Sequence, residues 1–441
     1  MTTIKEDLLK LDKQRLVDFI DGLYGVEKGI DQRIDRLLVI GDAKKLAALF
    51  KKSIASLNRR KAFVRYSESV ELGVEIEQLS LGIFDELLPL SAQLAADLLE
   101  KLLATGVNSL ERCDDSGGSV GMAYQDIVPM WLRAAKAVGK TDEHWIKKIK
   151  ALKESDLYAI FDTLLPSASL LLSNDGLREL AFYYETKQRN ETDEWQAFAA
   201  YVNASAMAKA LEDTEMYERC LLYSSPEPNR LQLEPLILFC LQCGDEGRAI
   251  KWLEYPENPE PSWLAFKIRS YHALEHTVKL PSLCSQLLEC EPSVENLQLC
   301  IEMCPSQAED WQAMALSLLP TLDAVGQIDL LLTLQMNDEA LTSAMQNYAV
   351  LRQGFYTDLL YLLANVPAEY PLLRAIIYRC LLLDLLERGY SKAYRHGANY
   401  LQSLRALDKQ IFDYHILESH DELEAHLKDK HGRKTSFWAM L

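Results

Sequence analysis

Leu231-Gln232-Leu233-Glu234-Pro235-Leu236-Ile237-Leu238-Phe239-Cys240-Leu241-Gln242-Cys243-Gly244-Asp245-Glu246-Gly247-Arg248-Ala249-Ile250-Lys251-Trp252 reads as a helical hairpin. Apolar residues run from Leu231 to Leu241. A turn follows at Cys243-Gly244-Asp245-Glu246, and the chain returns through Ala249, Ile250 and Trp252. Such spacing places an apolar stripe along one side of each helix. One hairpin cannot cover its own apolar face, so neighbouring hairpins must stack against it.

The same unit recurs on both sides. Upstream, Trp195 to Leu211 turns at Glu212-Asp213 and returns from Met216 to Tyr223. Downstream, Trp263 to Leu274 pairs with Leu283 to Cys290, Val294 to Met303 with Trp311 to Leu319, and Ile328 to Gln335 with Ala340 to Tyr348. Leu372 to Leu386 then pairs with Ala393 to Leu407. The turns at Glu212, Gly244 and near Thr277 lie 32 and 33 residues apart. That spacing resembles the roughly 34-residue tetratricopeptide period, and Gly244-Asp245 followed by Ala249 and Trp252 is similar to such a unit. Later spacings drift, so the repeats are degenerate.

Toward the N-terminus, a helical stripe runs from Lys5 to Tyr24 and restarts from Ile30 to Ile40. Gly41-Asp42 breaks the pattern and caps a helix in which Leu46, Leu49, Phe50, Ile54 and Leu57 oppose Lys44, Lys45, Lys51 and Lys52. Helices are expected near Tyr66 to Leu81 and Ser91 to Leu110, with Ser91 as an N-cap. The glycine-rich stretch Asp114-Asp115-Ser116-Gly117-Gly118-Ser119-Val120-Gly121 precedes a helix carrying Trp131, Ala134 and Ala135. No period-2 run is long enough to seed a sheet. The expectation is an all-α protein, with an N-terminal helical domain over 1–152 and a degenerate tetratricopeptide-like solenoid over 153–441 ending in a cap. A soft boundary is placed near Leu152 to Asp156.

The 441 residues are 49% hydrophobic and 25% charged, a globular balance that excludes a disordered or fibrous chain. Gly and Pro make up about 8% against an average near 12%, which favours helices. The net charge of −18 opposes nucleic acid and anionic membranes as partners. The polar start Met1-Thr2-Thr3-Ile4-Lys5-Glu6-Asp7 does not resemble a signal peptide. The richest apolar run, Cys380-Leu381-Leu382-Leu383-Asp384-Leu385-Leu386, falls well short of a membrane span. Nine cysteines, an odd number set mainly in apolar helical patterns, fit a reduced cytoplasmic protein.

Between Ala43 and Ser67 there are eight bases and no acid: Lys44, Lys45, Lys51, Lys52, Arg59, Arg60, Lys61 and Arg65. The cluster could hold a phosphate backbone or an acidic partner. Equally, it could be a solvated face, since Lys and Arg usually cover surface. The oxygens of Asp114, Asp115 and Ser116 could bind a hard cation. However, counted from Asp115, the third and sixth positions are Gly117 and Val120, which does not satisfy a calcium loop. The competing reading is a helix cap. Cys240-x2-Cys243 and Cys300-x3-Cys304 lie in Leu-rich helices and read as core. His272 and His276, one turn apart, lack a third metal ligand. His415, His420, His426 and His431 do not share a helical face, and a last helix near Asp421 to Lys430 is expected, with Phe437 and Trp438 docking as a cap. The sequence shows neither a nucleophile elbow, a phosphate loop nor a dinucleotide fingerprint.

Glu111-Arg112-Cys113-Asp114-Asp115-Ser116-Gly117-Gly118-Ser119-Val120-Gly121 carries a resemblance, as do Ser391-Lys392-Ala393-Tyr394-Arg395-His396 and the end from Leu401 through His431-Gly432-Arg433-Lys434 to Phe437-Trp438. These stretches resemble a bacterial family catalogued as a domain of unknown function. Its helical C-terminal region is similar to that beside SWIM-type zinc fingers. The basic helix and Phe63 to Tyr66 fit the same family, whereas about 190–365 fit it least. The Cys-x-Cys and Cys-x-His ligands of a SWIM finger are missing here, so no metal function carries over. The resemblance implies a helical-repeat protein with no activity, catalytic residue or cofactor to inherit.

The functional expectation is a non-catalytic scaffold or adaptor with a protein or peptide partner, no cofactor and no membrane. Two alternatives stand beside it. One is a nucleic-acid-associated module using the 44–65 cluster, and the other a metal-dependent enzyme or regulator around Asp114 and Asp115.

Overall fold

The structure, a computed structural model, describes Glu6, residues 8–255 and residues 260–441. Among the described residues every regular element is a helix. The one exception is an isolated parallel bridge between Val64 and Cys113. The all-α expectation holds. The chain divides into two compact units, Met1–Asp245 and Glu246–Leu441.

The first unit opens with α1 (Lys13–Leu23), α2 (Lys28–Leu38), α3 (Ala43–Asn58) and α4 (Tyr66–Gly82). It continues through α5 (Ala92–Leu103), α6 (Gly106–Glu111), α7 (Ser119–Val138) and α8 (Asp142–Glu154). Its last helices are α9 (Asn174–Asn190), α10 (Glu194–Ala210), α11 (Thr214–Ser224) and α12 (Arg230–Gln242). Helix α7 is its central element: Val120, Tyr124, Ile127, Val128, Trp131 and Leu132 are fully buried, and α7 packs on both α4 and α5. The helix expected from Ser91 to Leu110 is broken at Ala104-Thr105. There the Thr105 hydroxyl meets Leu102 O and the Tyr124 hydroxyl, both at 2.7 Å. Gly106 leaves room for Ile160, whose Cδ1 occupies the space that a Cβ would take. At the soft boundary α8 ends, and the Asp156 carboxylate accepts the N–H groups of Ile160 and Phe161 (2.9 and 3.0 Å) to fold a turn-rich segment.

The second unit comprises α13 (Glu246–Leu253), α14 (Pro261–Ala273), α15 (Leu280–Cys290), α16 (Val294–Met303), α17 (Ala308–Leu318), α18 (Ala324–Thr333) and α19 (Asn337–Gln346). These are followed by α20 (Tyr348–Leu351), α21 (Tyr356–Asn365), α22 (Pro371–Arg388), α23 (Tyr394–Asp408), α24 (His420–His431) and α25 (Thr435–Trp438). Successive helices pack as the expected hairpins, α14 with α15, α16 with α17, α18 with α19 and α22 with α23. Helices two apart touch as well (α14 with α16, α15 with α17), which is the stacking that a hairpin's uncovered face requires. The terminal cap also forms. Phe437 is fully buried edge-on to Tyr394, 5.8 Å between ring centres, and Trp438 Nε1 donates to His431 O at 3.0 Å.

The repeat is visible in backbone chemistry. Glu212, Gly244, Glu275 and Gln335 all adopt left-handed backbone, with φ of 55°, 73°, 59° and 60°. In each case the next N–H (Asp213, Asp245, His276, Met336) reaches back to a carbonyl five residues earlier at 2.9 Å. This is the Schellman ending of a helix. Only one of the four positions is glycine, so the others carry the steric cost of a Cβ in that region. Glu275→Gly and Gln335→Gly should each stabilise the protein by roughly 0.5–1 kcal/mol, and Gly244→Ala should destabilise it by a similar amount. Urea unfolding midpoints would check this.

A second prediction concerns the last turn of the fold. Glu424 accepts from Arg405 Nε and Nη2 (2.7 and 3.2 Å), with His420 Nε2 at 3.1 Å, and its side chain is only 16% exposed. The Arg405 hydrogen bonds hold its carboxyl at about 2, down from the ordinary 4.5. A carboxylate held below its unfolded value stabilises fully above pH 4.5 and loses that contribution as pH falls through 2. Glu424→Gln should therefore cost about 1–3 kcal/mol at pH 7. The gap to the parent should narrow at pH 3 in the same unfolding measurement.

Candidate functional site

The basic cluster begins on α3, whose first turn is capped by Asp42 accepting from Lys44 N and Lys45 N, each at 3.1 Å. Leu46, Ala47, Phe50, Ile54 and Leu57 are buried, which leaves Lys44, Lys51 and Lys52 in solvent. The cluster does not behave as one charged face. Lys45 Nζ returns to Asp42 at 3.4 Å. Arg60 forks onto Glu75 of α4 at 2.6 and 2.5 Å. Arg60 and Lys61 border a cavity of about 390 Å³ whose other wall presents Glu68, Glu71 and Glu75. Arg65 is exposed where α4 begins, its N–H bonded to Glu68 Oε2 at 3.2 Å. The acids absent between Ala43 and Ser67 are thus supplied by the next helix. Lys52 and Arg59 face elsewhere, into a cavity bordered by α2.

The Asp loop lies beside the end of this cluster. Val64 N donates to Arg112 O (2.8 Å) and Asp114 N to Val64 O (2.9 Å), forming the lone bridge. Asp114 accepts the Ser116 hydroxyl at 2.6 Å, and Asp115 accepts the N–H groups of Val120 and Gly121 at 2.9 and 2.8 Å. Both carboxylates are therefore turned onto their own loop, with Asp115 holding the start of α7 as a cap. Gly118, at φ 74°, and Gly117, which lies against the Tyr66 ring, give the chain room for this turn. Among the described residues there is no group of three or more His, Cys, Asp or Glu suited to a metal ion.

Most of the thiols occupy core positions, but Cys113 and Cys243 are half-buried and Cys290 is exposed, because it sits at the solvent-facing end of its helix. Cys220, Cys240, Cys284, Cys300 and Cys380 are buried, and burial pushes Cys220 and Cys380 up to about 12. The pair expected from Cys300-x3-Cys304 gains Cys284 from α15, and its contact with the Cys300 thiol, together with burial, raises Cys284 as well. Such thiols stay protonated at neutral pH.

The second unit holds a groove that no sequence motif marks. Tyr356 and Leu360 of α21, Leu381 and Leu385 of α22, Tyr390, and Tyr400 of α23 enclose about 390 Å³ with a mainly apolar lining. Gly389, at φ 66°, ends α22 and turns the chain toward α23, so Tyr390 projects beside the groove. Tyr356 and Tyr390 are each 59% exposed. The Asp384–Arg388 ion pair (2.8 Å) and His396 supply the polar edge.

Residues 6–221 and 310–440 match the family of unknown function DUF6880. The chain belongs to that family. The groove and the 44–65 cluster both fall in matched segments, whereas 222–309 do not. Among curated proteins none matches the chain. A solved structure described as a circular tandem repeat protein with novel repeat topology and enhanced subunit contact surfaces is similar over 97% of this chain and 92% of its own. Its identity is 13% and its TM-score 0.23.

The capping geometry predicts that Asp115→Ala destabilises the protein by about 1–2 kcal/mol, with Asp114→Ala costing less. Neither EDTA nor Ca²⁺ should shift the unfolding midpoint of the parent. Thermal and urea unfolding with and without the ions would check both statements.

Proposed function

We propose that this protein is a non-catalytic scaffold that holds a protein or peptide segment in the groove formed by α21, α22 and α23. The observation that carries this reading is the groove itself: three tyrosines and three leucines from three consecutive helices and the α22–α23 connection border about 390 Å³, with Tyr356, Leu360 and Tyr390 exposed. Exposed contiguous apolar surface rimmed by polar groups marks interaction sites. Tyrosine offers large contact area with a hydroxyl that stays hydrogen-bonded, so it is enriched where proteins dock. An apolar groove between helices suits an amphipathic segment laid along it, with the Asp384–Arg388 pair at its edge to orient polar residues. Reduced thiols in the core support a cytoplasmic setting for this role. No described helix is long and apolar enough to cross a membrane.

The test places a photo-crosslinking amino acid at Leu360, which is 37% exposed, and a control at Glu227. A discrete crosslinked protein band specific to position 360 is expected, and Tyr390→Ser should weaken it about tenfold without altering the unfolding midpoint. Identical patterns from the two positions would remove the proposal.

A further inference from the structure

The cavity bordered by Lys52 and Arg59 differs chemically from the groove. It measures about 320 Å³ and lies between α2 and α3. On α3, Lys52, Ser53 and Ser56 occupy one strip of the helix, continued by Arg59 at its C-cap, next to the buried stripe that ends in Leu57. On α2, Asp31 and Asp35 are one turn apart on a single face. One wall is therefore cationic with two hydroxyls, and the opposite wall presents the two aspartates beside Arg36, whose charge is taken up by Glu86.

The two walls do not neutralise each other. Asp31 Oδ1 accepts Gly25 N at 2.7 Å and Asp35 Oδ1 accepts the Tyr24 hydroxyl at 3.1 Å, which leaves Oδ2 of each carboxylate available. Lys52, Arg59 and the Ser53 and Ser56 hydroxyls have no side-chain partner among the described residues. The walls are held in place by Arg36, which also lines the cavity: from α2 it forks onto Glu86 at 2.9 and 3.2 Å and lies 5.2 Å from the centre of the Phe50 ring of α3. That anchor, whose side chain is 12% exposed, fixes α2 alongside α3 while the charged faces remain apart.

We infer that this cavity is a binding site for a small zwitterion of amino-acid or dipeptide size, its carboxylate taken by Lys52 and Arg59 and its ammonium by Asp31 and Asp35. A phosphate or other polyanion would face the two aspartates, and a simple cation would face the lysine and arginine. Only a ligand carrying both signs satisfies both walls. The serine hydroxyls lie beside the cations, where they can donate to the same carboxylate. The volume is at the small end of ligand cavities, which limits the ligand to this size.

The full chain is titrated by calorimetry with the common α-amino acids and glycylglycine. At least one should bind saturably at millimolar concentration or below. Its N-acetyl and its amide derivatives, each lacking one charge, should bind about tenfold or more weakly. Lys52→Ala and Asp35→Asn should each weaken binding about tenfold with an unchanged unfolding midpoint. The asparagine keeps an acceptor for the Tyr24 hydroxyl, so it tests the charge alone. Two results would overturn the inference: no saturable binding by any of these compounds, or an N-acetyl derivative or inorganic phosphate binding as tightly as the parent amino acid.

Discussion

The structure depends on the geometry of a helical hairpin that can shield only part of its own apolar surface. Helix α22 shows the consequence: Leu373, Ile376, Ile377, Cys380 and Leu382 are all fully buried, yet they face different neighbours. One set joins the cluster containing Ile328 and Leu362, and the other joins Leu401, Leu427 and Phe437. A helix buried on several sides must be apolar almost all round, as this one is. The left-handed turn at Glu212, Gly244, Glu275 and Gln335 is the joint that makes such stacking repeatable. The same backbone bond closes each of these helices.

Stacking of this kind also creates recesses where successive helices diverge. The groove of the second unit opens where α22 ends at Gly389 and α21 leaves Tyr356 and Leu360 uncovered. In the first unit, α1 buries no residue and α2 is held to α3 chiefly through Arg36, so a cleft persists between α2 and α3. The two recesses differ in chemistry because their lining helices do: leucine and tyrosine in one, serine and opposed charges in the other.

Charge illustrates how neighbours redefine a local pattern. A run of eight bases within a chain of net −18 reads as a single cationic patch. In three dimensions α4 brings Glu68, Glu71 and Glu75 to one end of it, and Asp42 pairs with Lys45. Lys52 and Arg59 instead meet the carboxylates of α2 across open space. The two aspartates of the glycine-rich loop likewise attend to their own backbone, because four consecutive N–H groups at the start of α7 lack helical acceptors.

Periodicity of three to four residues determined the helices, the hairpins and the C-terminal cap, because the burial of a stripe is a local property of spacing. It also marked Lys52, Arg59, Asp114 and Asp115 by residue type. Local pattern could not show that Thr105 and Gly106 would break a helix, since Ile160 and Tyr124 arrive there from distant sequence. Nor could it assemble the groove: Tyr356 and Tyr400 are separated by 44 positions, and α21 lies between Phe355 and Asn365 with no motif to single it out. Which carboxylates would neutralise which cations was likewise decided only by tertiary packing, because electrostatic pairing follows distance in space rather than distance along the chain.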